Sequence, residues 1–83
     1  MSKEFDAMMR LESEDRIPLK KAKPLFEGEP SIRTLQRWIL RGLYQPILAD
    51  RVFLEGYRGQ GRSWVTSRQA CRRFVERMNG DRE

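Results

Sequence analysis

The sequence predicts a small α+β domain, mostly helical, and three observations carry that prediction. A ten-residue stretch, "SIRTLQRWIL", separates apolar and basic residues around a helical axis. A glycine-bearing stretch, "RVFLEGYRGQGRSWVTS" (51–67), has the composition of a β-hairpin. A last segment from Thr66 or Ser67 to Asn79-Gly80 carries an apolar stripe at helical spacing. With 83 residues there is room for one domain and a modest core.

The first helix is expected within "IPLKKAKPLF" (17–26), where Leu19, Ala22, Leu25 and Phe26 recur at spacings of three and four. Pro24 has no N–H to give and is comfortable only in a first turn, so this helix should be short and start near Lys20 or Lys21. "EGEP" (27–30) supplies a turn.

The second helix has clear ends. Ser31 is a good N-cap, and Gly42 sits where a left-handed C′ glycine would close the helix. At about 100° per residue, Ile32, Leu35, Trp38 and Ile39 span about 120°, whereas Arg33, Thr34, Arg37 and Arg41 occupy about 100° on the far side. Gln36 and Leu40 fall on the border.

Residues 43–50, "LYQPILAD", read as a connection interrupted by Pro46. In the hairpin that follows, Val52, Leu54 and Tyr57 suit a strand, "GQG" a tight turn and "SWV" the return, with Gly56 marking a possible bulge. Thr66 with Gln69 forms a plausible capping box for the third helix. Its stripe is Ala70, Cys71, Phe74, Val75 and Met78, with Arg68, Gln69, Arg72, Arg73, Glu76 and Arg77 as an outer coat. Residues 1–15 are read as an acidic, flexible arm and residues 16–80 as the folded domain.

Charge is unevenly spread. Residues 1–15 carry five acids against Lys3 and Arg10, a net of −3; residues 30–77 carry ten arginines against Asp50, Glu55 and Glu76, a net of +7. No cation of the second segment is lysine, and the planar guanidinium fork suits bidentate contacts to phosphate or guanine. Asp50 and Glu55 show no sign of being placed together. With zero histidines and one cysteine, nearly all zinc sites and Ser–His or Cys–His mechanisms fall away, and no phosphate-binding glycine loop is present. No enzyme, metal or cofactor is expected. Cys71 is read as a buried small hydrophobe and Trp38 as core. No apolar run approaches about 20 residues and no signal-peptide core opens the chain, so the cytoplasm is the expected compartment.

Two helices joined by a short turn, the second one cationic, make a helix-turn-helix, and the hairpin would be its wing. "S-x-x-T-L-x-R-W", then "R-G-L", a glycine-bearing hairpin and "T-S-R-Q-A" resemble the winged helix-turn-helix of the MerR and phage-excisionase superfamily. The pattern is more similar still to a family of short bacterial proteins of uncharacterised function, over about residues 17–78.

The resemblance implies a double-stranded DNA-binding protein of the bacterial nucleoid, either an excisionase-like architectural factor or a small transcriptional regulator. It implies groove and phosphate contacts from Ser31, Arg33, Thr34, Arg37 and Arg41, and a wing tip of Arg58, Gln60 and Arg62. Arg68, by its place at the third helix's start, is expected to reach a further phosphate. A second copy or a cooperative neighbour on the DNA is expected. The chain departs from the family in placing Lys20 and Lys21 where an acidic residue is usual, in Pro24, in a longer "YQPILAD" loop and in lacking the long C-terminal dimerisation helix. Sensing of a small-molecule effector is therefore not expected. A solvated arginine face or a hairpin solubilised by Arg58 and Arg62 would give the same residues, and a non-catalytic protein-interaction module is the alternative function. The −3 arm could also fold over the +7 segment and compete with DNA.

Overall fold

The apolar spacing of residues 32–39 and 70–78 decides where two of the core-forming helices lie, and the rest of the chain is wrapped to cover them. The structure, a computed structural model, describes residues 3–59 and 63–80. In chain order the elements are α1 (Lys3–Leu11), β1 (Arg16–Pro18), α2 (Leu19–Ala22) running into a 3-10 turn (Lys23–Leu25), α3 (Ile32–Leu40), β2 (Leu43–Gln45), β3 (Asp50–Val52), β4 (Tyr57–Arg58), β5 (Trp64–Ser67) and α4 (Arg68–Met78). The result is an α+β fold with four helices and small antiparallel sheets.

α2 is as short as Pro24 demands. It starts at Leu19, and Pro24 sits inside the 3-10 turn, where its missing N–H costs no α-helical hydrogen bond. α3 is capped by Ser31, whose Oγ accepts from the Thr34 N–H at 3.1 Å, and it ends before Gly42 at φ 73°. Leu35 and Ile39 are buried and Trp38 packs against the core, but Ile32, at the edge of that arc, stays 40% exposed. α4 is capped by Ser67, which accepts from the Ala70 N–H at 2.8 Å. The Thr66–Gln69 capping box does not form: Thr66 donates to the Glu55 carbonyl, and the Gln69 amide oxygen accepts from the Asp15 N–H. Both side chains are drawn off by partners far away in sequence.

The region read as one hairpin is two. β2 and β3 pair around residues 46–49 with Leu43 opposite Val52, so the supposed connection "LYQPILAD" is itself a hairpin. Its turn holds Ala49 at φ 51°, and buried Gln45 ties it to α4: the side-chain amide donates to the Met78 carbonyl, and its oxygen accepts from the Ile47 N–H at 2.7 Å. The chain then crosses the core through Leu54 and Gly56 before β4 and β5 pair, with Tyr57 opposite Val65. Gly56 marks a close approach: a Cβ there would stand 2.6 Å from Ile39 Cδ1 and 2.9 Å from the Val65 carbonyl. Tyr57 and Val65 point to one face of this second hairpin, against Leu11 and Ala70, whereas Trp64 and buried Thr66 point to the other, where Trp64 packs on the main core. β1, too short and proline-bearing to be read from sequence, completes a three-stranded sheet in the order β1-β5-β4.

The core centres on Phe26, Trp38 and Phe74. Phe26 meets both of the others edge-on, and Trp38 stacks on Phe74 at 5.0 Å. Ile17, Leu19, Ala22, Leu35, Ile39, Val52, Leu54 and Cys71 surround them. A second cluster of Leu11, Tyr57 and Ala70 holds α1 in place.

Residues 1–15 are thus not a loose arm in their described part. Ala7 and Leu11, four apart on α1, are buried, and burying a leucine contributes about 1.5–3 kcal/mol. Arg73, read as outer coat on α4, is an internal ion-pairing residue. Its Nη1 donates to Glu14 Oε2 at 2.7 Å and its Nε to Glu55 Oε1 at 2.8 Å, while Arg10 reaches the other Glu55 oxygen at 3.1 Å. Ser67 adds a 2.6 Å hydrogen bond to Glu14 Oε1. The Arg73 hydrogen bonds hold the Glu14 carboxyl below its ordinary pKa, against the opposing effect of burial.

Two predictions follow from these contacts. Gly42→Ala would force a side chain into a left-handed conformation with its Cβ 2.8 Å from the Val52 carbonyl, so it should cost about 2 kcal/mol or more, read as a lower urea midpoint. Glu14→Gln should cost about 2 kcal/mol at neutral pH. Because the folded pKa of Glu14 lies below its unfolded one, its contribution is complete above about pH 5 and fades as acid protonates the folded carboxylate. The stability gap between wild type and Glu14→Gln should therefore narrow as the pH falls below about 5, and a gap that stays constant in urea melts through the acid range would refute the assignment.

Candidate nucleic-acid interface

The basic face of α3 follows directly from how its apolar face is buried. With Leu35 and Ile39 turned inward, Arg33, Arg37 and Arg41 are exposed, and Thr34 is half-buried beside the exposed cap Ser31. Ser31 Oγ and Thr34 Oγ1 lie 3.0 Å apart, so the cap hydroxyls hold each other at the start of this face. Among the described residues no carboxylate lies within ion-pair distance of Arg33, Arg37 or Arg41. At about 1.5 Å per residue, these three guanidinium stems are spaced roughly 6 Å apart along the axis.

Among the described residues the acidic segment offers them no carboxylate within ion-pair distance. Its Glu14 pairs with Arg73 of α4, and α1 lies instead beside the Leu40 flank of α3, where Asp6, Ala7, Ile39, Leu40 and Trp64 line a cavity of about 330 Å³. Trp64 in that cavity also places the β4–β5 hairpin next to the C-terminal half of α3. Arg58 on β4 stacks over the Trp64 ring at 5.2 Å, a cation–π contact that orients its guanidinium at the hairpin's exposed edge. Gln60 and Arg62, read as the rest of the wing tip, lie outside the described residues. The Gly59 N–H donates to the Ser63 carbonyl at 2.7 Å, just beyond the last β4–β5 pair.

Arg68 is not brought to the same place. It lies past the end of β5 away from the turn, where its N–H donates to the Asp15 carbonyl at 3.1 Å. Of the residues singled out from sequence, Ser31, Arg33, Thr34, Arg37 and Arg41 share one surface, Arg58 stands on the adjoining hairpin, and Arg68 stands apart.

One cation that sequence reasoning missed touches the end of α3. Arg51 of β3 donates from Nη1 to the Arg41 carbonyl at 2.9 Å, satisfying an orphan carbonyl there. The hairpin that carries Arg51 was not read from sequence, so nothing local pointed to this contact.

The described residues offer little for covalent or metal chemistry. Asp50 accepts from the Arg51 N–H, and Glu55 is held by Arg10 and Arg73, so the two carboxylates serve separate contacts. No cluster of three or more His, Cys, Asp or Glu that could hold a metal occurs among them, and no helix there is long and apolar enough to cross a membrane. Cys71 is buried in the main core, and burial pushes its thiol up to about 11. Comparison of the chain with known protein families, curated proteins and solved structures finds no match.

The position of Cys71 carries a prediction. The native protein at about pH 8 should react with a soluble disulfide reagent only at the rate of unfolding, because the thiolate is scarce and covered. Rapid stoichiometric labelling of the folded protein would contradict this burial.

Proposed function

We propose that the chain is a winged helix-turn-helix protein that binds double-stranded DNA through α3. The observation that carries this reading is the exposed Arg33–Arg37–Arg41 face, which has no carboxylate partner among the described residues and starts at a cap of two hydroxyl side chains. α2, the turn at 27–30 and α3 supply a helix-turn-helix order, and the β4–β5 hairpin adjoining α3 supplies a wing.

In this reading α3 enters the major groove, which is about 12 Å wide and admits a helix. Its arginines neutralise phosphates and present bidentate forks to guanine edges, while Ser31 and Thr34 contact phosphate or base at the helix start. Arg58, oriented on Trp64, reaches the neighbouring backbone together with Gln60 and Arg62. Arg68 would need a separate phosphate farther along the duplex. A single module of this size covers a short site, so useful specificity calls for a second copy or a cooperative neighbour. A bacterial cytosolic factor in recombination or transcription is the corresponding role, without a small-molecule effector and without catalysis.

A protein-docking function is the second reading, favoured by Leu40, Tyr44 and Ile47, which are 61%, 59% and 69% exposed at the end of α3 and on the β2–β3 hairpin. Titration of mixed-sequence duplex with wild type and Arg37→Ala separates the two. DNA binding should weaken steeply with salt, and the substitution should lower the slope of log K against log salt by about one. Absence of binding at about 50 mM salt would favour the docking reading.

A further inference from the structure

A second group of arginines gathers away from the Arg33–Arg37 face. Arg10 from α1, Arg51 from β3, and Arg73 and Arg77 from α4 line one cavity of about 190 Å³, with Phe53, Phe74 and Glu55 completing its wall. Three elements that are distant in sequence thus bring four arginines to the wall of one cavity.

Their charges do not cancel. Arg73 is taken up by Glu14 and Glu55, and Arg10 by the remaining Glu55 oxygen. Counting these two acids against Arg73 and Arg10 leaves Arg51 and Arg77, and among the described residues neither has a carboxylate within ion-pair distance. Arg51 uses one Nη1 hydrogen bond, to the Arg41 carbonyl, and so keeps most of its donors. Glu55 is engaged from two sides: Arg73 is held by two carboxylates, whereas Arg10 makes one contact at 3.1 Å and keeps an exposed side chain at the cavity wall. The two phenyl rings lower the local dielectric and strengthen attraction for an anion.

We propose that this cavity is a binding site for a phosphate-bearing anion, with Arg51 and Arg77 as its charge-bearing ligands and Arg10 as an adjustable third. The guanidinium fork matches a tetrahedral oxyanion with two parallel N–H···O bonds, which an ammonium cannot do. At about 190 Å³ the space is smaller than the roughly 300–1,000 Å³ of sites that enclose drug-sized ligands, so it admits one phosphoryl group and leaves any larger substituent outside. The ligand class is a phosphate monoester, free phosphate or a single backbone phosphate of a nucleic acid, all of which offer the same oxygens. The site does not depend on α3 binding DNA.

The test is a titration of the full chain with inorganic phosphate, followed through the arginine Nε–Hε resonances at constant ionic strength. Arg51, Arg77 and Arg10 should shift saturably, with half-saturation at about 1 mM or below, and Arg33 and Arg37 should not follow the same curve. Arg77→Gln should weaken phosphate binding at least tenfold. Arg51→Gln with Arg77→Gln should abolish it while the amide fingerprint of the fold persists, because neither residue belongs to the Glu14–Arg73–Glu55 network. Shifts reproduced by chloride, or affinity unchanged in Arg77→Gln, would overturn the site.

Two further arms identify the source of the phosphate. If the double variant lowers the salt slope of duplex binding by about two, the site takes a backbone phosphate. If duplex binding is unchanged while affinity for a nucleoside monophosphate is lost, it takes a free phosphate ester. Loss of DNA binding by Arg37→Ala with phosphate binding intact would show that the two surfaces act separately.

Discussion

The guanidinium of Arg73, held between Glu14 and Glu55, is the contact on which the rest of the arrangement depends. It joins the segment after α1, the crossing before β4 and the middle of α4, and Ser67 extends it by donating to Glu14 while capping α4. Both acids and the arginine are largely withdrawn from water, with side chains 15%, 25% and 22% exposed. Such a pair gives modest net stability when complete and is costly to break, since the orphaned charge stays behind. Among the described residues no buried side-chain polar atom lacks a partner, so the network is closed.

From Arg73 the constraint passes to the next residue, Phe74, which stacks on Trp38 of α3 while Phe26 meets both rings edge-on. The Leu54 N–H donates to the Trp38 carbonyl at 3.1 Å, and Gly56 lies against Ile39, so α3 is gripped along its inner face by α4 and by the crossing chain. A helix fixed this way can turn only one side outward. That side carries Arg33, Arg37 and Arg41, and among the described residues no carboxylate lies within ion-pair distance of them. Glu14 and Glu55 are engaged in internal pairs, and among the described residues Arg51 and Arg77 have no carboxylate within ion-pair distance at their cavity.

Legibility from sequence followed the range of the deciding interaction. Both ends of α3 and the stop of α4 were readable because Ser31, Gly42 and Gly80 act within one helical turn of themselves, whereas the start of α4 was left between Thr66 and Ser67. Trp38 and Cys71 were readable as core because helical spacing places them on apolar stripes. The β2–β3 hairpin was not, because its strands are three residues each, Pro46 interrupts it, and its anchor is a buried glutamine bonded to the Met78 carbonyl 33 residues away. α1 was misread because an acidic excess looked like a solvated arm, whereas only Ala7 and Leu11 were needed to seat it.

What the sequence by itself determined is therefore α3: its start, its stop, and the separation of its arginines from Leu35, Trp38 and Ile39, all consequences of a 3.6-residue period and local capping. What only the tertiary structure decided is which cations are internal and which are free. Arg73 and Arg77 sit four apart on one helix and look alike in sequence, yet Arg73 is matched to a carboxylate 59 residues away, while Arg77 has none within ion-pair distance among the described residues. That difference is set by where the chain returns in space, and no local pattern encodes it.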